Sequence, residues 1–455
     1  MSRATYRESS TGATRSLSRF CSTLRFDDLN EITVESAEKV LVDALASCYA
    51  GVSTEPGKLM IEYASSVGGD DATIIGADGT SIPQFAALAS GTTTHALDVD
   101  DGHRAASAHP GSAVVPAALA IAEQRDRSGT DLLTAIVAGY EAMITTASAV
   151  QPSHRERHFH ATATAGCFGA AAAVACLLDL DETETAHALG LAGTQAGGLF
   201  EFLEKGSMAK RFHPGRAAMA GIVAAELAAN GFDGPDTIIE GEGGFAEAFA
   251  DEYDLSGFGR LGEPFAITQT YLKPYPACRH IHGPIDVMFE LRSEGVEPGD
   301  ISRIVVETYQ NAAYHDNAVI QNLLDAQMSI PFGVATALAN GNAELAEFDP
   351  SLAADEEIAS VIEKTEVVAT AEMEAMYPDT RPAKIVLETT DGERYERLVE
   401  YPSGAAERPL SSERIAGKFR DLSDGILSAD EQETILANAF GIADVDSLRA
   451  FATAL

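Results

Sequence analysis

Apolar residues recur at helical spacing through the first half of this chain. Between about residues 35 and 258 they fall three and four positions apart, which is typical of amphipathic and buried helices. The stretch 36–49 shows the pattern, with one face formed by Val40, Leu41, Ala44, Leu45 and Cys48. Further helices are predicted at residues 116–124, 131–148, 161–178, 182–198 and 217–230. Pro83 and Pro116 stand where proline commonly opens a helix.

The pattern changes after about residue 263. Residues 301–309 read as a strand, and residues 384–390 and 393–400 read as two strands joined by Asp391-Gly392, a strong hairpin signal. Helices are predicted among them at residues 283–293, 330–339 and 354–364. The chain then returns to helices at residues 411–421, 429–440 and 445–454.

These patterns predict a mainly α protein with an inserted α+β segment. A large all-helical domain is expected from residues 21–265 and 405–455, and an α+β lid domain from residues 266–404. Residues 1–20 are rich in Ser, Thr and Arg and lack an apolar core, so they are predicted to be a disordered tail rather than a secretory signal. A transit peptide is the alternative for this tail.

Acidic residues dominate the charge of the chain. The net charge is -38 over 455 residues, with the acids dispersed and with eight lysines in all. Such a surface fits a protein of a halophile's cytoplasm, and a binder of a basic partner is the alternative. No basic stripe is present to meet phosphates, so a nucleic-acid partner is not expected. No apolar run approaches the ~20 residues that span a bilayer, so no membrane segment is expected either.

Histidines are concentrated in a few short segments. Nine of the eleven lie in or beside four of these segments: His95, His103, His109, His154, His158, His160, His213, His280 and His282. Histidine moves protons near neutral pH, so this concentration indicates acid–base chemistry. The five cysteines form no CxxC pair and their odd number argues against a disulfide framework, which favours a reducing cytoplasm.

Two groups of cations stand out against this acidic background. Lys210, Arg211 and Arg216 fall within seven positions beside His213, and Lys273 and Arg279 flank another short loop. Such groups suit a substrate with several carboxylates, although Lys210 and Arg216 in isolation also fit helix capping.

A metal site is the competing interpretation of these residues. The carboxylates of the 95–111 segment are metal-ligand types, but that segment holds no HxxxH or HExxH pair, so no metal and no cofactor are expected.

Five segments in order resemble motifs of the MmgE/PrpD family, which includes 2-methylcitrate dehydratase and cis-aconitate decarboxylase. They span residues 95–111, 158–166, 206–216, 273–282 and 329–334. With weaker likeness between them, the resemblance covers the chain from about residue 35 to beyond residue 408. It implies a helical domain with an inserted lid, a homodimer and metal-free lyase chemistry.

The resemblance also implies roles for individual residues. The residues that match the catalytic positions are Asp98, His109, His160, Lys210 and His282. From the groups of cations and the histidines near them, the residues expected to bind substrate are Arg216, Arg279, His213, Lys273 and His103. Asp98 could instead cap a helix, His213 could cap one rather than touch substrate, and His95 and His103 could serve to support the site. Gly102 and Phe332 depart from the family, which commonly has threonine and tyrosine there.

The predicted function is metal-free acid–base elimination from a small tricarboxylate. A 2-methylcitrate dehydratase is the leading prediction, and a cis-aconitate decarboxylase that makes itaconate is the alternative. An epimerase of a small amino-dicarboxylate and an inactive family member are further alternatives. The dehydratase and the decarboxylase would use the same residues, so the motifs do not separate them.

Overall fold

The computed structural model describes residues 12–202 and 207–455. It is mainly helical, with 59% helix and 9% strand. The chain divides into two compact units, with boundaries between Tyr271 and Leu272 and between Arg414 and Ile415. The first unit is thus assembled from both ends of the chain. The predicted boundaries, at residues 265/266 and 404/405, lie six and ten positions away.

Helices form most of the first unit. They are α1 (Ala13–Thr23), α2 (Glu31–Val52), α3 (Glu55–Val67), α4 (Pro83–Thr94), α5 (Gly111–Gln124), α6 (Gly129–Val150), α7 (Ser153–Glu156), α8 (Ala161–Thr164), α9 (Gly166–Leu177), α10 (Glu182–Thr194), α11 (Ala209–Ala229) and α12 (Phe245–Phe249). At the other end of the chain follow α19 (Ser412–Ser423), whose first turn contains the unit boundary, α20 (Ala429–Phe440) and α21 (Leu448–Ala452).

Two pairs of two-residue strands correct the prediction that this unit is all-helical. β1 (Ala72–Thr73) pairs with β2 (Thr80–Ser81), and β3 (Gly102–His103) pairs with β4 (Thr270–Tyr271), both antiparallel. Their sequences are too short to show strand alternation. A second correction concerns the predicted tail, because α1 begins at Ala13 and buries Ala13, Leu17 and Cys21. The rest of that tail, residues 1–11, lies outside the described residues.

The core of the first unit is built from small residues. α9 is buried along nearly its whole length and packs against α6 and α11. A Cβ added at Gly139 of α6 would lie 2.8 Å from the carbonyl oxygen of Gly169 on α9, so glycine is required there for the two helices to approach. α6 is long and apolar enough to cross a membrane, and 89% of its most apolar window is buried inside the protein. It is therefore a core helix.

The second unit combines helices with a mixed sheet. Its helices are α13 (His282–Ser293), α14 (Gln310–Ala313), α15 (Leu323–Gln327), α16 (Ile330–Asn340), α17 (Glu356–Lys364) and α18 (Ala371–Met376). Its strands are β5 (Ile301–Thr308), β6 (Thr365–Ala369), β7 (Ala383–Thr389) and β8 (Arg394–Val399), in the order β6-β5-β7-β8. β5 and β6 are parallel and the other pairs are antiparallel. Gly392 in the β7–β8 turn has φ +95, as expected for the predicted hairpin.

Short 3₁₀ helices connect these elements. They lie at Phe26–Asp28, Ser256–Gly259, Ala266–Gln269, Arg279–Ile281, Pro298–Asp300, Leu345–Phe348, Pro350–Ala354 and Ile442–Asp444. In the second unit the sheet, α13, α16 and α17 share one apolar core, which includes Ile285, Ile304 and Phe332.

Two helices begin earlier than the sequence predicts. α5 starts at Gly111 rather than at Pro116, and α11 starts at Ala209 rather than at residue 217, so Pro116 and Pro214 lie inside helices. Each proline stands in the second turn, where its missing N–H removes one intrahelical bond. Because α11 starts this early, Lys210 and His213 share a helix face three residues apart.

Candidate active site

The central segment of the candidate site is the loop that follows α4. His95 ends that helix and is fully buried, and Asp98 takes a left-handed conformation with φ +59. Aspartate is among the few residues that tolerate this region without severe strain. The turn carries the chain back into the protein, so that Asp100 and Asp101 are buried at 0% and 1% exposure.

One buried carboxylate lies between two histidines. Asp100 Oδ2 is 2.8 Å from Nδ1 of His95 and 3.5 Å from Nδ1 of His109. Burial lowers the pKa of His95, and its pairing with Asp100 only partly opposes that effect. The rings of His95 and His109 lie 4.7 Å apart between centroids. Asp100 therefore provides negative charge beside His109, the more exposed of the two rings.

The orientation of His109 is fixed by the neighbouring backbone. Its Nδ1 is 2.7 Å from the carbonyl oxygen of Asp101, which can only accept, so Nδ1 carries a proton and Nε2 bears the lone pair of the neutral ring. Its backbone N–H donates to Thr162 Oγ1 at 3.1 Å. The His109 side chain is 17% exposed, so it is reachable from outside the core. This is the arrangement expected of a proton-transfer group.

Asp101, whose carbonyl oxygen contacts His109, is itself held by two hydrogen bonds to its carboxylate. Its carboxylate accepts from the Tyr140 hydroxyl at 2.8 Å and from the Gly111 backbone N–H at 2.9 Å. Burial, followed by the charges of Asp100 and Asp43, raises the pKa of Asp101 well above its usual range. The sequence drew attention to Asp100 and Asp101 only as metal-ligand types. Their position in the sequence between two apolar helices, α4 and α5, could have indicated that these aspartates are buried.

His160 and His213 form a second imidazole pair. Their Nδ1 atoms are 2.9 Å apart, and the rings lie against Phe200 and Phe202. His160 immediately precedes α8, and α11 supplies His213. The ring centroid of His160 is 6.3 Å from that of His95, which links this pair to the His95–Asp100–His109 group.

Lys210 places a positive charge beside Asp98 and near the histidines described above. Its Nζ is 3.2 Å from Asp98 Oδ2, and the two side chains are 18% and 19% exposed. Lys210 also acts electrostatically on His95 and His160. The structure therefore brings together four of the predicted catalytic residues, namely Asp98, His109, His160 and Lys210, within the first unit.

Two predicted substrate-binding residues of this unit have other partners. The Arg216 guanidinium donates to the carbonyl oxygens of Gln195, Gly197 and Ala163, at 2.6, 3.0 and 3.2 Å. These bonds hold the chain that follows α10, and substrate binding by Arg216 stays a prediction. His103 is buried in β3, where its Nδ1 accepts from the Ala106 N–H at 3.2 Å, so it stabilises its own turn.

A cation could be held near this loop. His95, Asp98, Asp100 and His109 each place one ligand atom within 4.8 Å of the others. These are ligand types for zinc and other divalent metals. The Lys210 ammonium lies at the Asp98 carboxylate of this group and supplies positive charge there.

The departure at Gly102 has a steric explanation. A Cβ at this position would lie 2.3 Å from the Tyr271 hydroxyl oxygen and 2.4 Å from its Cζ. Tyr271 is the cross-strand partner of Gly102 in the β3–β4 pair. The tyrosine thus occupies the space that a threonine side chain would need.

We expect the substitution Gly102→Thr to destabilise the protein by about 1–3 kcal/mol, because the added atoms overlap the Tyr271 ring. Urea unfolding of this variant, of Tyr271→Ala and of the double variant would measure the coupling. The double variant should be less destabilised than the sum of the single ones. Additive effects would show that the two side chains do not compete for this space.

The His160–His213 pair is expected to stay neutral into the acid range. Burial, followed by the charges of His95 and Arg216, lowers the pKa of His213 to about 4, and burial lowers that of His160 well below 6.5. Because the folded-state pKa lies below the unfolded one, the stability from these neutral rings is complete above about pH 6.5 and is lost as the pH falls. NMR titration of labelled histidines should place the His213 midpoint near 4. A midpoint above 6 would contradict the arrangement.

The remaining predicted residues lie in the second unit. Lys273 is 2% exposed. Arg279 donates to the carbonyl oxygens of Ser403 and Pro402 at 2.7 and 2.9 Å, and its Nη1 is 3.1 Å from His282 Nδ1. His282 Nε2 is 3.1 Å from the Ala277 carbonyl oxygen. Both ring nitrogens of this fully buried histidine are engaged, which favours a positioning role over the predicted proton transfer.

Phe332, the other departure from the family, also belongs to this unit. Its side chain is fully buried in the core, with its ring 6.3 Å from that of Phe348. A phenylalanine suits this dry position, because a buried phenolic hydroxyl would need a hydrogen-bond partner.

Two family domains match most of this chain. The MmgE/PrpD N-terminal domain matches residues 15–257 and the MmgE/PrpD C-terminal domain matches residues 275–440. A cis-aconitate decarboxylase-like protein oryM of Aspergillus oryzae is 28% identical over 96% of this chain and 96% of its own length. The cis-aconitate decarboxylase of Aspergillus terreus is 26% identical over 91% of this chain and 90% of its length.

A mammalian relative is nearly as similar. The cis-aconitate decarboxylase of Homo sapiens is 24% identical over 95% of this chain and 92% of its length. These relatives give no support to the predicted origin in a halophile. Both halves of the chain match in family order, and more than half of the chain matches the N-terminal domain alone. The protein therefore belongs to the MmgE/PrpD family of lyases.

Proposed function

We propose that this protein is a carboxy-lyase that converts cis-aconitate, or a close tricarboxylate, to itaconate and carbon dioxide. The observation that carries the proposal is the similarity, over at least 90% of both chains, to relatives named cis-aconitate decarboxylase at 24% and 26% identity and to one named cis-aconitate decarboxylase-like at 28%. This favours the decarboxylase, the alternative from the sequence, over the leading prediction of a 2-methylcitrate dehydratase.

The reaction requires one bond to break and one proton to be delivered. The bond between the CH₂ carbon and its carboxylate breaks, and its electron pair forms a new CH₂=C double bond. The electron pair of the former double bond moves to its CH carbon, which carries the carboxylate at the other end of the molecule. This carbon must be protonated. The net change is loss of carbon dioxide and gain of one proton, so the protein has to supply an acid and stabilise transient negative charge.

Lys210 is proposed to bind a substrate carboxylate. Its ammonium is held by Asp98 at 3.2 Å, which limits the number of positions that the long side chain can take. A cation beside a developing enolate-like charge stabilises the transition state more than the ground state. Asp98 thus keeps Lys210 in position, rather than taking part in proton transfer.

His109 is proposed to be the acid that protonates carbon. Asp100 Oδ2 lies 3.5 Å from its Nδ1 and the Asp101 carbonyl accepts from the same nitrogen at 2.7 Å, so the protonated ring has negative partners on one side. The proton then leaves from Nε2. The neutral His160–His213 pair is proposed to line the substrate site and to exclude water from it. Water then cannot protonate the carbanion before His109 does.

The experiment is a proton NMR assay of purified protein with cis-aconitate in D₂O. We expect itaconate with one deuterium on its saturated methylene carbon, and at least a hundredfold loss of rate in Lys210→Ala. Lys58→Ala, which removes an exposed lysine from α3, is the matched control and should retain full activity. Turnover of 2-methylcitrate alone would instead establish the dehydratase. Epimerisation of an amino-dicarboxylate, or no turnover of any of these acids, would favour the remaining alternatives.

We also propose a homodimer in a reducing cytoplasm. The dimer rests on the family resemblance. The compartment is supported by the cysteines at 21, 48, 167, 176 and 278, all of which are free thiols in the structure. Light scattering on the eluting protein would test the dimer, with a mass near twice 47.8 kDa as the expected value.

A further inference from the structure

Three metal-ligand side chains meet in the second unit, on residues that the proposed reaction does not use. Cys278, His280 and His315 each place one ligand atom within 4.8 Å of the other two. All three side chains are partly exposed, so an ion has access to them. Two of them lie in the 273–282 segment, and the third is 37 positions away from Cys278.

The backbone holds the two distant members of this cluster in place. The N–H of Cys278 donates to the carbonyl oxygen of Gln327 at 2.9 Å, and the carbonyl of His315 accepts from the Ile330 N–H at 2.8 Å. One short stretch, between the end of α15 and the start of α16, thereby anchors both residues. The thiol and the imidazole are thus arranged before any ion arrives, which lowers the entropy cost of binding.

The tautomer of His315 is the one that a metal requires. Its Nδ1 is 3.1 Å from the Met328 carbonyl oxygen, which can only accept, so in the neutral ring Nε2 bears the lone pair. Nε2 is also the nitrogen that lies 3.7 Å from Cys278 Sγ. Histidines that bind metals commonly donate their other N–H to a carbonyl in this way.

The separation of these two atoms matches the edge of a tetrahedral zinc site. Zinc binds sulfur at about 2.3 Å and imidazole nitrogen at about 2.0 Å, which places two such ligands about 3.5 Å apart. The third member, His280, lies with its ring 5.4 Å from that of His315, at 24° between planes. The Tyr309 hydroxyl contacts its Nδ1.

We propose that Cys278, His280 and His315 bind one zinc ion, with water as the fourth ligand. One thiolate and two imidazoles are soft and borderline donors that prefer zinc to magnesium or calcium. Cys278 and His280 flank Arg279 and stand just before α13, so the ion would fix the turn that positions Arg279 and His282. The ion supplies no step of the decarboxylation, and the inference does not depend on that function.

The test uses cobalt(II) as a spectroscopic probe on the metal-free, reduced full-length protein. One equivalent should give a sulfur-to-cobalt charge-transfer band near the ultraviolet edge together with intense visible bands of a tetrahedral ion, and zinc should displace it. Cys278→Ser should abolish the charge-transfer band, and His315→Gln should weaken zinc binding at least tenfold. Cys176→Ser is the matched control, since this partly exposed thiol lies in α9 of the first unit, and it should leave both signals intact.

A charge-transfer band that survives in Cys278→Ser, or its absence from the wild-type protein, would overturn the proposal. In the second case the 3.7 Å contact is an S–H···N hydrogen bond and nothing more. A measurement on the wild-type protein tests the site even if the variants fail to fold. Zinc should slow alkylation of Cys278 by iodoacetamide, mapped by mass spectrometry, and an unchanged rate would also overturn the site.

Discussion

Replacing His109 by asparagine is expected to lower kcat by ~10²–10⁴-fold, the usual contribution of a well-placed acid or base. Asparagine can keep the donation to the Asp101 carbonyl that Nδ1 makes at 2.7 Å, while it removes the Nε2 proton that the proposed reaction needs. The thermal unfolding temperature should change little. Steady-state kinetics with cis-aconitate and calorimetry on the same preparation would measure both quantities.

His187→Asn is the matched control for this loss. His187 lies in α10 and its Nδ1 contacts the backbone of Gly234, which asparagine can also reach. Its kcat should remain within about twofold of the wild type, since surface substitutions away from a site have small effects. If His109→Asn retained more than a tenth of the activity, His109 would not be the acid, and His160 would be the next residue to replace.

The second large effect is expected at Lys418, where methionine should destabilise the protein by about 3–5 kcal/mol. Its Nζ is 2.5 Å from Asp43 Oδ1 and 2.7 Å from the carbonyl oxygen of Val99, and both charged side chains are buried, at 6% and 1% exposure. Methionine fills a similar volume but leaves the Asp43 charge without its cation. Urea unfolding at pH 7.5 would measure the loss.

Two further variants separate this charge effect from packing. Asp43→Asn combined with Lys418→Met should regain much of the stability, because no buried charge is then left alone. Lys384→Met, which removes a lysine paired with Glu396 at the surface, should shift the unfolding midpoint little. Equal midpoints for Lys418→Met and Lys384→Met would mean that the buried pair contributes nothing measurable.

The sequence predicted helices and strands well where local residue spacing or a turn motif strongly favours one type of element. The spacing of apolar residues in 36–49 favours a helix and Asp391-Gly392 favours a tight hairpin turn, and the structure contains both, in α2 and in the β7–β8 hairpin. The helix predicted at residues 217–230 starts eight positions earlier in the structure, and Pro214 lies within it. A proline usually ends a helix, but here it stands in the second turn and removes a single bond.

Residue types also indicated the residues of the candidate site, since clustered histidines and cations in a chain of net charge -38 are typical of a site that moves protons and binds anions. The partners of each side chain could not be predicted in this way. Arg216 fits a carboxylate as well as it fits carbonyls, and the choice depends on where Gln195, Gly197 and Ala163 come to lie. The tautomer of His109 likewise depends on a contact that forms only after the loop folds.

The contacts of Lys418 with Asp43 and with the Val99 carbonyl have a consequence for synthesis on the ribosome. Val99 and Lys418 are separated by 319 positions. At about 5–20 residues per second, a nascent chain would wait roughly 15–60 s between emergence of the histidine-rich loop and arrival of the lysine that secures it. During that interval the Asp43 carboxylate has to stay hydrated, so the helices around it can close only loosely. Final packing of the first unit around Asp43 is therefore delayed until Lys418 has left the ribosome.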